Sequence, residues 1–333
     1  MNIFNRITNR SLDYLLFNRW MEPYWLDRMR GKIMCLLYHR IDDPDNNSFL
    51  THGGSPVIQP EEFEKDLSFY LEHGVRFMSF SDIRKNNFPS VSEIGIIVSF
   101  DDCFLVNYTN GLKILDKLGI KAVFFQTTAL IDAQELIWEH ALYWYAKHSG
   151  ITNLFVNFAR NELAGYKELS NYDGLNYILY IRKHVAAEHI EALLLKAKDY
   201  FGMTREMDET ASRIYPRSKD LKKAFSTGHE IGSHGHNHYN RKNIKQSLFV
   251  DEILQSQAAI EKVTGIKPLC FSYPFGSYFE NDRVIVEQYF KQAAIVHNNF
   301  ITRSTDPFLL PRYTWPGNQN SIRRRRWLLS GSV

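Results

Sequence analysis

The sequence is poor in cysteine. Its three cysteines, Cys35, Cys103 and Cys270, are scattered through 333 residues with no CxxC pair. That excludes a disulfide framework and fits a reducing compartment. Long apolar runs are also missing: nothing approaches the roughly 20 residues needed to span a bilayer. The opening stretch, MNIFNRITNRSLDYLLFNRW, lacks the apolar core of about 7–15 residues that marks a signal peptide. The expectation is a cytoplasmic protein. There is no internal repeat and no large charge excess, the formal net charge being +3. With no second basic stripe, nucleic acid is not an expected partner.

Hydrophobic residues make up 44% of the chain, enough for a sizeable core, and aromatics 14%. Such aromatic content suits core packing first and sugar stacking second. Residues 32–38, KIMCLLY, read as a short buried strand, with His39 and Arg40 at its end. An Asp-, Asn- and Gly-rich loop covers 42–59, and Pro60 opens a helix that Gly74 ends. A second apolar strand, Ile94 to Phe100, runs into Asp101 and Asp102. A helix to about Leu118 and a strand from Lys121 to Thr127 follow. Strand, helix and strand in this order predict a parallel α/β sheet.

The alternation breaks between about 130 and 216, where the pattern is helical, for example from Glu188 to Phe201. That stretch reads as an insertion. It contains WEHALYWYAKH, Trp138 to His148, dense enough in rings to cover a glycan cleft or to form a subdomain core. Alternation resumes with a helix capped by Ser218, a helix from Leu248 to Val263, a strand at Leu269–Tyr273, a helix near Arg283–Phe290 and a strand at Ala293–His297.

Two polar clusters sit past strand ends, where α/β active sites gather. The first is SFDDC, Ser99 to Cys103. Adjacent carboxylates on an extended segment point to different sides, so one is free to bind metal while the other acts as base. The second is HEIGSHGHNH, with His229, His234, His236 and His238 in ten residues. His234 and His238 align on one turn of a helix, whereas His234 and His236 align on an extended segment. Two histidines and a carboxylate make a three-ligand site with open positions, the pattern of a catalytic metal.

SFDD, HGHNH and FSYPFG, in this order, resemble the polysaccharide deacetylases with a NodB-like domain (carbohydrate esterase family 4). LLYHRI, KAVFFQTT, GHEIGSH and DEILQSQAAIEKVTG support the match, which covers about residues 32–129 and 217–315. The resemblance implies a distorted (β/α) barrel of seven or eight strands. The expected domain limits are 1–31 for an N-terminal amphipathic segment, 32–318 for the barrel with 130–216 as a helical insertion, and 319–333 for a basic C-terminal tail. The resemblance assigns Asp101 as catalytic base, and Asp102, His234 and His238 as ligands of a divalent ion, zinc foremost. Tyr273, Pro274 and Phe275 form the turn whose Phe275 N–H meets the oxyanion. His236 lies outside the ligand set. The reaction implied is removal of an N-acetyl group from an amino sugar, polymeric or lipid-linked. Deformylation of a lipid-linked amino sugar, or an inactive sugar-binding homologue, are the alternatives. An unrelated metallohydrolase with a His234–His236 pair is a third.

Three departures stand out. Ser272 replaces the arginine that orients the base, and Arg312 in LLPRY is the candidate substitute. The usual late histidine acid is missing, leaving His297 and His39 as candidates. Cys103 replaces a glycine, and either narrows the cleft or packs away. Last, RRRRWLL at Arg323–Leu329 sets four arginines beside Trp and Leu. That composition suits either peripheral contact with an anionic membrane at its inner face or an internal salt-bridged face.

Overall fold

The computed structural model describes residues 15–51, 56–148, 151–202, 204–317 and 321–330. Among the described residues, ten short strands follow one another: β1 (Ile33–Tyr38), β2 (Arg40–Ile41), β3 (Val57–Ile58), β4 (Arg76–Met78), β5 (Gly95–Phe100), β6 (Ala122–Gln126), β7 (Glu230–Ser233), β8 (Cys270–Ser272), β9 (Gln292–Val296) and β10 (Leu310–Thr314). Seven of them close a parallel ring in the order β1-β10-β9-β8-β7-β6-β5, with β5 pairing back to β1. β4 adds an eighth strand outside the ring. It pairs with the first half of β5, Arg76 opposite Gly95, while β6 takes the second half, Val98 opposite Ala122. The fold is thus a distorted (β/α) barrel with seven ring strands and one accessory strand.

Strands β1, β5 and β6 are buried at every position. Parallel strands covered on both faces need such continuous apolar runs, which is why the sequence exposes them. β4 and β10 escape a pattern reading for opposite reasons. β4 has three residues, two of them only half-buried. β10 carries Pro311 and a fully buried Arg312, both atypical of strand interiors. The loop expected over 42–59 also holds a helical turn, Ser48–Thr51, and β3. The helix from Ser218 starts at that residue, so Ser218 is not its cap. The Asp132 carboxylate accepts from the Ser218 N–H at 3.1 Å instead.

Among the described residues, five α-helices lie between β6 and the helix that starts at Ser218: Trp138–Lys147, Thr152–Glu162, Gly174–His184, Ala187–Phe201 and Thr204–Ile214. The first is buried at every position except Lys147. A helix apolar around its whole circumference is a core element, so most of its rings pack inward and do not cover a cleft. This core is continuous with that of the barrel, since Phe271 and Tyr273 share a cluster with Tyr143 and Tyr145.

The C-terminal basic run is a packed helix, Ser321–Ser330, not a free tail. Trp327 is fully buried and donates from Nε1 to the Thr314 carbonyl at 3.0 Å. Arg324 donates from Nε to Asp66 at 2.6 Å, and Arg325 pairs with Glu22. The internal salt-bridged face is the arrangement seen, and Trp327, Leu328 and Leu329 face the core. Residues 1–14 of the N-terminal segment lie outside the described residues. Among those described, no helix is long and apolar enough to cross a membrane.

Candidate metal centre and catalytic cleft

Strand β5 delivers Asp101 and Asp102 to the C-terminal mouth of the barrel. The chain does not stay extended there: Asp102 and Cys103 both adopt positive φ, 62° and 60°. For residues other than glycine this costs of order 1–3 kcal/mol and persists only where surroundings enforce it. Here the Gln126 amide and the Thr127 N–H both donate to the Asp102 carbonyl, each at 3.3 Å. The turn keeps both carboxylates in the mouth instead of sending them to opposite faces. They are still divided by partner. Cys103, at the position where a glycine is usual, is packed away in the barrel core and leaves the cleft width untouched.

Asp101 is gripped by Arg312. Nη1 lies 2.6 Å from Oδ1 and Nη2 2.8 Å from Oδ2, a two-point fork. Ser272 bridges the pair, donating to Asp101 at 3.2 Å and lying 2.7 Å from Arg312 Nη2. Burial pushes the Asp101 carboxyl up, but Arg312 and His234 outweigh it and hold the group below the usual carboxylate range. Asp101 is therefore ionised.

Asp102 faces the histidines. Its Oδ1 is 3.2 Å from His238 Nε2 and 3.5 Å from His234 Nε2. Each imidazole is fixed from behind. His234 Nδ1 lies 2.8 Å from the Ser272 carbonyl, and His238 Nδ1 lies 2.8 Å from Glu139 Oε2. A carbonyl only accepts, so the proton of His234 sits on Nδ1 and the Nε2 lone pair points into the mouth. Burial pulls His234 down to about 4, keeping it neutral. For His238 burial acts downward too, but Asp102 and Glu139 raise it overall. Asp102, His234 and His238 are all buried, with one ligand atom each within 4.8 Å of the others. Two oriented imidazoles and a carboxylate around one point fit a divalent cation, with coordination positions left open. Among the described residues no other His, Cys, Asp or Glu group gathers in this way.

The other two histidines of the motif go elsewhere. His236 turns to Thr128, Nδ1 to Oγ1 at 2.9 Å, while its N–H donates to Glu252 at 2.9 Å. The His234–His236 pair is thus not assembled as ligands. His229 supports the base of β6, accepting from the Ala122 N–H at 3.2 Å.

The mouth opens into a cleft of about 530 Å³ lined by both aspartates, His234, His238, His39 and Phe275. His39 Nδ1 is buried there without a hydrogen-bond partner. His297 is exposed, one residue past β9, and does not line the cleft. Phe275 has φ 59° in the Pro274–Gly276 turn, and its ring packs on His238 with centroids 4.4 Å apart. Pro274 is buried, and Tyr273 is buried beneath the turn, its ring 5.1 Å from those of Phe271 and Tyr278. These two shape the turn and do not line the cleft. Gly276 closes it at φ 61°, where a Cβ would come within 3.1 Å of Val296. A second cavity, about 490 Å³, lies at the opposite strand ends around Lys121, Glu230 and Cys270. It holds none of the residues of the candidate metal centre, and that end of such barrels serves stability.

Glu139 and Arg182 are residues of this cleft that a reading of the motifs misses. Arg182 Nη1 holds Glu139 Oε1 at 3.0 Å, and both come from inserted helices. The available signal was a carboxylate inside an otherwise apolar helix.

Comparison with known proteins agrees with the histidine motif and the FSYPFG turn, and does not reach SFDD. The family model described as "Polysaccharide deacetylase" matches residues 182–293. A polysaccharide deacetylase from Bacillus cereus superposes with a TM-score of 0.56 at 14% identity, covering 90% of this chain and 69% of that one. The Streptococcus pyogenes deacetylase PplD gives 0.56 at 14%, with 90% and 99% covered. IcaB from Ammonifex degensii gives 0.54 at 15%, with 90% and 97% covered. No curated protein sequence matches the chain. Residues 182–293 are thus similar to polysaccharide deacetylases, and the barrel is the one on which the solved deacetylases are built.

Proposed function

We propose that this deacetylase-type hydrolase removes the N-acetyl group from an amino sugar, with Asp101 as base and Asp102, His234 and His238 holding a divalent ion, zinc by preference. One observation carries the reading: an ionised carboxylate, Asp101, stands beside a three-ligand set and is not part of it. A binding module has no use for that second, separately held carboxylate.

A divalent ion at this set supplies Lewis-acid polarisation of the amide carbonyl and lowers the pKa of water. Arg312 and Ser272 fix both oxygens of Asp101, which accepts the proton of the attacking water. The grip lowers the basicity of Asp101 and keeps it ionised, ready to accept. The Phe275 N–H, on a turn held at positive φ, donates to the developing oxyanion. His39, kept neutral by burial and with an unpartnered ring nitrogen in the cleft, takes over the proton that Asp101 accepts and passes it to the departing amine. His297, exposed and outside the cleft, is not assigned this role. Glu139 and Arg182 make the inserted helices part of the same catalytic unit, with residues 32–318 as its extent.

The test is metal content together with acyl release from N-acetylated and N-formylated saccharides. Wild type is expected to hold about one equivalent of metal and to release acetate. Asp102→Ala and His238→Ala lose the metal, and Asp101→Asn keeps it without turnover. Metal retained in both ligand variants would overturn the ligand set. Formate without acetate would redirect the reading to a deformylase, and metal with no acyl release to an inactive homologue.

A further inference from the structure

The cleft around the candidate metal centre is charged in layers. Its carboxylates are Asp101, Asp102 and Glu139, and each is already answered. Asp101 has Arg312, Asp102 has two imidazoles, and Glu139 has His238 and Arg182. Two further cations, Lys183 and Lys242, line the same cleft and are exposed. Neither has a carboxylate partner among the described residues.

The two lysines come from separate elements. Lys183 lies in the last turn of the Gly174–His184 helix, and Lys242 in the short Arg241–Asn243 turn after the histidine motif. Asn243 Nδ2 donates to the Arg182 carbonyl at 3.0 Å, holding the two segments side by side. A basic residue at a helix C-terminus has an ordinary explanation, since it complements the helix dipole. That covers Lys183 but not Lys242, which is on a different element.

The other lining residues are unsatisfied in a complementary way. The hydroxyls of Ser277 and Thr314 are buried in the cleft lining with no hydrogen-bond partner. Buried hydroxyls are ordinarily paired, so both are suited to the hydroxyls of a bound sugar. The cleft therefore offers unpartnered hydroxyls together with two ammonium groups that no carboxylate answers among the described residues.

We propose that the acetylated sugar carries a phosphate group, as a glycosyl phosphate or phosphodiester, which Lys183 and Lys242 bind while Ser277 and Thr314 take sugar hydroxyls. This deepens the reading of the cleft as a deacetylase site and rests on it. Two ammonium groups act as point charges with no preferred plane and suit the tetrahedral, multi-oxygen anion of a phosphate monoester or diester. A lone carboxylate is better met by a guanidinium fork, and the fork lining this cleft, Arg182, is engaged by Glu139. A nucleotide-linked sugar, a polyprenyl-linked sugar and a phosphate-bearing polymer share this chemistry.

The experiment uses the full, metal-loaded chain. Titration calorimetry measures binding of N-acetylglucosamine 1-phosphate, UDP-N-acetylglucosamine, a polyprenyl-phosphate-linked N-acetyl sugar in detergent, neutral diacetylchitobiose and an N-acetylated aminouronate. Acetate release is followed in parallel. Phosphorylated sugars are expected to bind about tenfold or more tighter than the neutral one, with the preference shrinking as salt rises. In Lys183→Gln/Lys242→Gln the ratio of phosphorylated to neutral binding should fall about tenfold or more. Phosphate on the metal alone would leave that ratio unchanged in the double variant and would overturn the proposal. Equal binding of neutral and phosphorylated sugars, or a preference for the aminouronate, would also overturn it. Acetate from none of the sugars, with the lysine-dependent preference intact, would sink the hydrolase reading and leave the phosphate site standing. Acetate from all of them without preference would do the reverse. Which phosphorylated arm turns over identifies the source of the phosphate.

Discussion

Glu139 stands behind His238. One carboxylate oxygen is 2.8 Å from His238 Nδ1 and the other 3.0 Å from Arg182. The two glutamate partners lie 99 and 43 residues away in sequence. A helix inserted into the barrel therefore orients a ligand of the candidate metal centre. Outer partners of this kind fix the ring and raise its basicity, and their loss costs about 10–100-fold in metal affinity. Glu139→Gln is expected to weaken metal binding by that order in a chelator competition, with the far-ultraviolet dichroism unchanged. Unchanged affinity would show that the contact does not orient His238.

Arg312 is expected to matter to both stability and turnover. It is fully buried and pairs with a buried carboxylate. Removing one partner of such a pair leaves the other charge unanswered, at a cost of about 3–5 kcal/mol. Arg312→Met should lower denaturant stability by that amount, whereas Arg312→Met/Asp101→Leu should recover most of it. Arg312→Lys, which keeps the charge but loses the two-point fork, should reduce kcat more than it reduces stability. A lysine variant with wild-type kcat would remove the positioning role.

His229 makes stability depend on pH. Burial lowers its pKa below the ordinary value, with Asp116 opposing. Its Nδ1 must stay unprotonated to accept from the Ala122 N–H, and Nε2 lies 3.2 Å from Asp116. The unfolded chain then binds the proton more readily than the folded one. Its stabilisation is complete above about pH 6.5 and is lost as pH falls through the depressed folded value. Melting temperatures from pH 8 to 5 should fall less steeply on the acid side in His229→Gln than in wild type. Parallel curves would show that this imidazole is not responsible.

The Arg-rich helix gives a test of packing against membrane contact. Trp327 is fully buried and stands edge-on to Tyr38 at 5.8 Å. Trp327→Ala should cost about 3–5 kcal/mol in denaturant unfolding. Wild type and variant should sediment equally with anionic vesicles under native conditions. Vesicle binding that requires Trp327 would reverse the assignment of its ring to the core.

Much of the candidate site was legible because its parts are local. Asp101 and Asp102 follow directly on β5, and His234 and His238 follow on β7, so parallel pairing alone carries both to one end of the barrel. The buried strands were legible for a related reason, since a strand covered on both faces must be apolar throughout. Cys103 shows the limit of such reading. The sequence marked the position as unusual for a side chain, but only the backbone turn at φ 60° shows the thiol directed into the core.

The sequence by itself determined the alternation of the barrel, the two clusters and their order along the chain, because backbone hydrogen bonding and side-chain period are local properties. Only the tertiary structure decided which distant charges meet. The fork of Arg312 on Asp101, the carboxylate of Glu139 on His238 and the burial of Trp327 beneath an arginine run each join segments with no shared period. Burying a charge requires a partner within hydrogen-bond reach, and which partner arrives is set by how the helices pack.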